Sequence, residues 1–163
     1  MWRRESEDRE PISPLQAHAL AAIGHIPNGA WVMTSKFENK RAGMLVHSVQ
    51  HVGNEPLMIS VACTKGHPIE PIIRDSRHFA VCRIDPDDRL VLRKFSPKQS
   101  AGGEDPFECF PIETLETGAP VLKRSIAVLD CEVHRHLDIE SDMEIFLGLV
   151  LAGRVYASSE QSL

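Results

Sequence analysis

The sequence lacks the features that would direct it to nucleic acid or to a membrane. Its 18 lysines and arginines are outnumbered by 23 aspartates and glutamates, which gives a net charge of −5 at pH 7. Binding to a phosphate backbone needs a basic surplus, so no nucleic-acid partner is expected. The longest membrane-like run, residues 145–153, has nine residues, whereas a helix that spans a bilayer needs about 20. No membrane partner is expected either.

The N-terminal segment is not expected to be a targeting signal. Residues 1–10 mix both charge signs and contain no apolar stretch, which is atypical of a signal peptide or a transit helix, so a cytoplasmic location is expected. With 163 residues, of which 42% are hydrophobic and 25% charged, the chain is expected to form one globular domain. The composition of the two ends predicts flexible tails over 1–13 and 157–163, which leaves a folded unit over 14–156.

Paired-cysteine motifs and the common catalytic signatures are also missing. The four cysteines are too widely spaced for a zinc or redox motif, so they are expected to be reduced and mostly buried. There is no GxSxG elbow, no Walker loop, no GxGxxG after a strand and no HExxH. His47 and His51, and likewise His134 and His136, are spaced to share one strand face. Neither pair has a third ligand nearby, and no metal site is predicted.

Apolar spacing and turn-forming residues predict a mainly β chain with a few short helices. The helices are expected at 14–23, 68–76 and 87–95, and the first strands at 30–37, 44–52, 57–63 and 78–84. The linkers 38–40 and 53–56 are too short for a crossover helix, so the first three strands should form an antiparallel meander. Residues 96–111 predict a long loop, which is either a lid over a site or a plain surface loop.

The C-terminal third of the chain predicts two further strands of different character. Residues 129–137 alternate, with Leu129, Cys131 and Leu137 on the apolar face and Asp130 on the wet face. In residues 144–156 the apolar residues occupy both odd and even positions, which indicates a strand buried on both faces. A single sheet buries only one of these faces, so the run predicts a partner subunit and hence a homodimer. A buried helix is the alternative, against which the two glycines of the run argue.

The segment Thr64-Lys65-Gly66-His67-Pro68 has the composition of an anion-binding turn. It follows a predicted strand and opens a predicted helix, so free backbone N–H groups and a helix N-terminus could meet a phosphate there. Gly66 allows close approach of the backbone, and Lys65 supplies a point charge. A strand-Lys-Gly-helix turn is also common without a ligand.

Several motifs in order make the chain similar to a known family. They are RAGMLVHSVQHVGNEPLMISVACTKGHP over 41–68, RHFAV over 77–81, DPF over 105–107, GAPVL over 118–122 and FLG over 146–148. Together they resemble the flavin reductase-like family of FMN-binding split barrels, across about 15–155. The resemblance implies an antiparallel Greek-key split barrel over 14–156, a homodimer, and FMN near the subunit interface.

The resemblance also implies an activity and a set of cofactor-binding residues. The expected reaction is hydride transfer from NADH or NADPH to a bound flavin, FMN or alternatively FAD, with an oxygenase or another electron acceptor as a further partner. Met44, Leu45, Val46, His47 and Ser48 would lie along the flavin, mainly through their backbone. Lys65, Gly66 and His67 would lie by the phosphate or ring edge, with Arg41 as another phosphate ligand. No catalytic side chain is assigned.

Three departures from the family pattern keep alternatives open. Leu45 and His47 stand where many members have small hydroxyl residues, and Ile69 stands where many have a threonine. Met143 replaces a histidine that would lie near the flavin or the nicotinamide. This last departure favours an alternative function, an FMN-binding electron-transfer or carrier protein without nicotinamide activity. A pyridoxal phosphate or haem binder on the same barrel is a third possibility, by analogy of fold alone.

Overall fold

The structure is a computed structural model that describes residues 11–156. The predicted C-terminal tail and all but 11–13 of the N-terminal tail lie outside the described residues. The helices are α1 (Pro14–Ile23), α2 (Ile69–Ser76), α3 (Arg89–Lys94) and α4 (Pro97–Ser100), with a 3₁₀ turn over Pro106–Cys109. The strands are β1 (Trp31–Phe37), β2 (Lys40–Val46), β3 (Ser48–Asn54), β4 (Leu57–Thr64), β5 (His78–Arg83), β6 (Ile112–Glu113), β7 (Val121–Leu122), β8 (Ala127–Asp138) and β9 (Met143–Val155).

Seven of the strands form one antiparallel sheet. Its order is β2-β1-β5-β8-β9-β4-β3, and β6 pairs with β7 in a separate two-stranded sheet. Every neighbouring pair in the large sheet is antiparallel. The predicted mainly β class with short helices is therefore confirmed. No helix in the stretch 11–156 is long and apolar enough to cross a membrane.

The two edge strands of this sheet are joined by a single residue, His47. The prediction of one strand over 44–52, and of a meander through it, is wrong because β2 ends at Val46 and β3 begins at Ser48 without pairing to β2. In a flat sheet, six strand spacings would separate these edges by about 29 Å. The two Cα steps from Val46 to Ser48 span at most about 7 Å. The sheet must therefore curl until its edges approach each other.

Two apolar clusters fill the space on either side of the sheet. The inner cluster contains the inward side chains of β2, β4 and β5 together with helix α2, whose Ile69, Ile72 and Ile73 are buried. The outer cluster contains Phe95, Phe107 and Phe110 packed on the other face of β1, β2 and β5. The helix predicted at 68–76 and the strand at 78–84 are confirmed. The helix predicted at 87–95 is present but shorter.

The segment predicted as a long loop is largely ordered. Residues 96–111 contain α4 and the 3₁₀ turn, and the turn is capped by the Asp105 carboxylate, which accepts from the Phe107 amide at 3.0 Å. Phe107 is 1% exposed and packs edge-on against Phe95, with ring centroids 5.1 Å apart. These rings leave no room for a side chain at Gly43, because a Cβ there would lie 2.7 Å from Phe95.

Two bulges between β8 and β9 change which residues face inward. The register shifts between Asp130 and Cys131, and again between Val133 and Arg135, where His134 is the extra residue. His136 therefore lies opposite Phe146 and stacks on its ring, with centroids 4.5 Å apart. The predicted alternation is wrong beyond the bulge, since Leu137 is 37% exposed. It is also wrong at Asp130, which is fully buried and accepts two hydrogen bonds from Thr117.

Helix α1 forms as predicted, but in the described part of the chain none of its residues is buried. Ser13 caps it in a capping box with Gln16, and Pro14 occupies its first turn. Its predicted apolar stripe is exposed, with Leu15 at 81% and Ile23 at 57%.

Strand β9 buries Phe146 on one face, whereas on the outer face Ile145 and Leu147 are only half-buried. The four cysteines are free, and all except Cys109 are buried, as expected.

Candidate functional site

The end of β2, the start of β3 and the end of β4 meet at one place in the structure. Ser48 pairs with Ala62 of β4, and the Thr64 hydroxyl donates to Met44 Sδ at 3.6 Å. The Gly29 amide donates to the His47 carbonyl at 3.1 Å. We call Met44–Ser48 together with Thr64–Gly66 the junction site. It contains seven of the nine residues predicted to hold the cofactor, Arg41 and His67 being the other two.

The β2 side of the junction site offers fewer free groups than the sequence predicts. Met44 and Val46 point into the inner cluster and are at most 3% exposed. The Leu45 amide donates to the Phe95 carbonyl at 2.7 Å, so it is already engaged. His47 is exposed, with Nδ1 3.2 Å from the Gly29 carbonyl. The side chains of His47 and Ser48 are therefore the polar groups that β2 and β3 present at the junction.

Lys65 and Gly66 lie exposed at the end of β4. Lys65 Nζ contacts Asp138 Oδ1 at 2.6 Å, and this hydrogen bond is the main reason that the pKa of Asp138 is lowered. Asp138 is two-thirds exposed, and such exposed ion pairs contribute little to stability, so an anionic ligand could replace the carboxylate. Gly66 has a φ of +84°, and no atom lies within 4 Å of a Cβ built on it. The backbone there is open to a ligand.

Arg41 is also paired with a carboxylate, at some distance along β2. Its guanidinium contacts Asp105 Oδ2 at 2.6 Å and lies over the Phe107 ring, 5.3 Å from the centroid. Both partners are about 30% exposed. Arg41 therefore holds the segment around Asp105 against the outer face of β2, and it reaches a ligand only by sharing or exchanging this carboxylate.

His67 is buried and fully engaged by the protein. Its Nδ1 accepts from the Ile69 amide at 3.1 Å, which fixes Nε2 as the protonated nitrogen, and Nε2 donates to Ser100 Oγ at 2.8 Å. The Glu70 amide donates to the His67 carbonyl at 3.1 Å. Burial lowers the pKa of His67 below its ordinary value of 6.5. The first two amides of α2 are thus satisfied internally, and His67 ties α2 to α4 as a neutral imidazole.

Two cavities flank the segment 103–106. One, of about 330 Å³, is lined by residues that include Arg41, Pro68 and Ser100. The other, of about 460 Å³, is lined by Lys94, Gln99 and residues 103–106, 108 and 109. Both volumes fall in the range of about 300–1,000 Å³ that is typical of cofactor pockets. The first cavity adjoins Arg41 and the start of α2; of the predicted phosphate ligands, Arg41 is the one that lines it.

Sequence reasoning missed the acidic partners of both cations. Asp105 belongs to the DPF motif, so its place near a site had a signal, although its pairing with Arg41 across 64 residues did not. No sequence pattern indicated that Asp138 lies near a site, since it directly follows the predicted strand 129–137, in which apolar and polar residues alternate. Ser100, which joins His67, lies in a segment predicted to be a loop. These contacts are long-range and appear only when the sheet has curled.

Comparison with protein families and known proteins gives a consistent result. The family model described as flavin reductase like domain matches residues 23–163. Diflavin flavoprotein A 1 from Synechocystis sp. is 28% identical over 144 residues, which are 88% of this chain and 25% of that protein. The chain spans about a quarter of the length of the curated relatives it matches.

Solved structures of similar proteins share the fold over most of the chain. The NADH:FAD oxidoreductase SgcE6 from Streptomyces globisporus C-1027 is 25% identical with a TM-score of 0.76, covering 91% of this chain and 88% of that chain. The styrene monooxygenase flavin reductase from Pseudomonas putida S12 is 21% identical with a TM-score of 0.70, covering 85% and 86%. The second likeness supports the fold alone.

Proposed function

The chain belongs to the flavin reductase-like family, and from this premise we propose that it is an FMN-dependent oxidoreductase that takes hydride from NADH or NADPH. Family membership places its function in flavin redox chemistry. The observation that carries the finer proposal is the junction site, where an open glycine backbone, an exchangeable lysine and the one-residue link between two sheet edges lie together. The same link supports closure of the curled sheet into the Greek-key split barrel of the family.

The residues present fit a flavin mononucleotide. The phosphate requires backbone approach and positive charge, which Gly66 and Lys65 provide at an exposed turn with open space. The cavity beside Arg41 has the volume for part of a cofactor. His67, with both ring nitrogens engaged, contributes by fixing the start of α2 rather than by a direct bond to a ligand. FAD would use the same phosphate turn and is the alternative cofactor.

In the proposed reaction the flavin supplies hydride-accepting chemistry, and the protein binds and orients it. Lys65 would hold the phosphate by exchanging Asp138 for it. The Ser48 hydroxyl would donate toward the ring edge that becomes negative on reduction. The apolar side chains of β2 and the ordered segment 96–110 would keep water from one side of the site. NADH or NADPH would then approach the open side.

A homodimer is part of the proposal because two apolar surfaces have no cover from residues 11–156, the part of the chain that the structure describes. Helix α1 has ten residues, none of them buried within the described range 11–156, whereas isolated helices shorter than about 12–15 residues are marginal in water. The outer face of β9 is also half-exposed and apolar. A second copy would cover both, next to the junction site. We expect a dimer by light scattering and a monomer for Ile23→Asp; a monomeric wild-type protein would contradict this part.

The reductase proposal is tested by absorbance. The purified protein loaded with FMN should show the flavin spectrum, and NADH or NADPH should bleach it without oxygen. Bleaching by dithionite but by neither nicotinamide would instead support a flavin carrier or electron-transfer protein, which the replacement of an expected histidine by Met143 favours. An oxygenase or another flavin-dependent partner would then be sought as the acceptor of the electrons.

The phosphate assignment has its own test. Lys65→Ala should weaken FMN binding by about tenfold, since a charge-assisted contact is lost, and should leave riboflavin binding nearly unchanged. Lys36→Ala, which removes an exposed lysine of β1, is the matched control. An equal loss for both ligands would place the phosphate elsewhere.

A further inference from the structure

Three metal-ligating side chains meet at a point that the flavin proposal does not use. Glu70 of α2, His136 of β8 and Glu144 of β9 each bring one ligand atom to within 4.8 Å of the others. A point therefore exists no more than about 2.8 Å from all three atoms, whereas zinc binds carboxylate oxygen and imidazole nitrogen at about 2.0–2.2 Å. Binding would require each ligand atom to move inward by about 0.6–0.8 Å. The bulge at His134 is what brings His136 to this side of β8.

Glu144 is a buried carboxylate with few partners. It is 2% exposed, and Cys63 donates to its Oε1 at 4.0 Å through a weak thiol. Its Oε2 lies 3.3 Å from His136 Nε2. Burial first, and then the charge of Glu70, raises the pKa of Glu144 above its ordinary value. Glu70 is paired with Arg74, so the buried Glu144 is the carboxylate that a divalent cation would balance.

A small cavity supplies room at the same place. Its volume is about 20 Å³, and its lining includes Glu70, His136 and Phe146, so it holds about one water-sized ligand. Two arginines also line it and oppose a cation. Arg74 contacts Glu70 Oε1 at 3.1 Å and is 63% exposed, and Arg77 donates to the Val133 carbonyl at 3.5 Å. Arg74 can swing into solvent, and Arg77 is already held by the backbone.

We propose that Glu70, His136 and Glu144 form a binding site for a divalent transition-metal ion, represented by Zn²⁺, with a water in the small cavity as fourth ligand. Three protein ligands and one open position are a common arrangement for zinc. The site would join α2 to β8 and β9. It uses none of the residues of the junction site.

The test is calorimetric titration of Zn²⁺ into the full-length, flavin-loaded protein, without a histidine tag and after chelator treatment. We expect one Zn²⁺ per chain. Loss of an outer-sphere partner of a metal typically weakens binding by about 10–100-fold, so loss of a direct ligand in His136→Ala or Glu144→Gln should cost at least about 100-fold. His134→Ala, an exposed histidine two residues away, is the matched control and should bind as the wild type does.

Two further variants make the outcome decisive. Arg74→Ala should tighten Zn²⁺ binding several-fold, because it removes the cation that competes for Glu70. Glu70 lies on a partly exposed face of α2, so we expect Glu70→Gln to fold. Its weaker Zn²⁺ binding tests the proposal if His136→Ala does not fold. No Zn²⁺ binding by the wild type, or equal binding by His136→Ala and His134→Ala, would overturn the proposal.

Discussion

His67→Ala distinguishes a structural imidazole from a ligand-binding one. The substitution removes the buried hydrogen bond from Nε2 to Ser100 Oγ, which contributes about 1 kcal/mol. It also leaves the Ile69 amide without its acceptor in a buried position, at a further cost of about 1–3 kcal/mol. The free energy of unfolding should therefore fall by about 2–4 kcal/mol. A histidine that served only a phosphate would show no such loss.

Urea denaturation followed by tryptophan fluorescence measures this change, with an unaltered slope against urea concentration. His134→Ala should change the free energy of unfolding by less than about 0.5 kcal/mol, because that side chain is exposed. A double-mutant cycle with Ser100→Ala should return about 1 kcal/mol of coupling. If His67→Ala unfolds at the wild-type midpoint but no longer binds FMN, the structural assignment of His67 is refuted.

The difference in free energy of unfolding between the wild type and His67→Ala should change with pH in one direction. The pKa of His67 is lowered in the folded protein, so the unfolded chain binds more protons as the pH falls below 6.5. The contribution of neutral His67 to stability is complete above pH 6.5 and is lost as the pH falls through the lowered pKa. The stability difference between wild type and His67→Ala should therefore narrow at acidic pH. A difference that widens there would contradict a neutral buried imidazole.

Two further substitutions test the packing around the site. Gly43→Ala should lower the free energy of unfolding by about 1–3 kcal/mol through overpacking, because the new Cβ meets Phe95 and Phe107 within 3 Å; a thermal melt at wild-type temperature would contradict this. Asp130→Ala should cost about 3 kcal/mol or more in urea unfolding, since it strands the amide and hydroxyl of Thr117; Asp87→Ala, on an exposed turn, is the control.

Local signals predicted some elements well. Helix α1 has a serine cap, a proline in its first turn and a glycine after it, so its bounds could be read from the sequence. Helix α2 and strand β5 have clear apolar spacing. The break at His47 has no glycine, proline or asparagine to mark it, and Val46 and Val49 make the run look continuous. That break is determined by the curl of the whole sheet.

The sequence indicated which segment contributes to the candidate site, but not which carboxylates pair with its cations. The order of short motifs indicated the stretch from Arg41 to Pro68 through its resemblance to a known family. The partners of Arg41 and Lys65 lie 64 and 73 residues away, and no spacing rule connects them. His136 reached Glu144 only through a bulge at His134, and a bulge shifts every later residue of a strand to the other face.

The single residue between Val46 and Ser48 has a consequence for how binding and folding are linked. The groups beside it come from opposite edges of the sheet, so they meet only when all seven strands have paired. A cofactor bound there, as proposed, would contact residues from both edges of the sheet. It would therefore bind the folded chain and not the unfolded one. At a ligand concentration of 100 times Kd, this binding would raise the free energy of unfolding by about 2.7 kcal/mol.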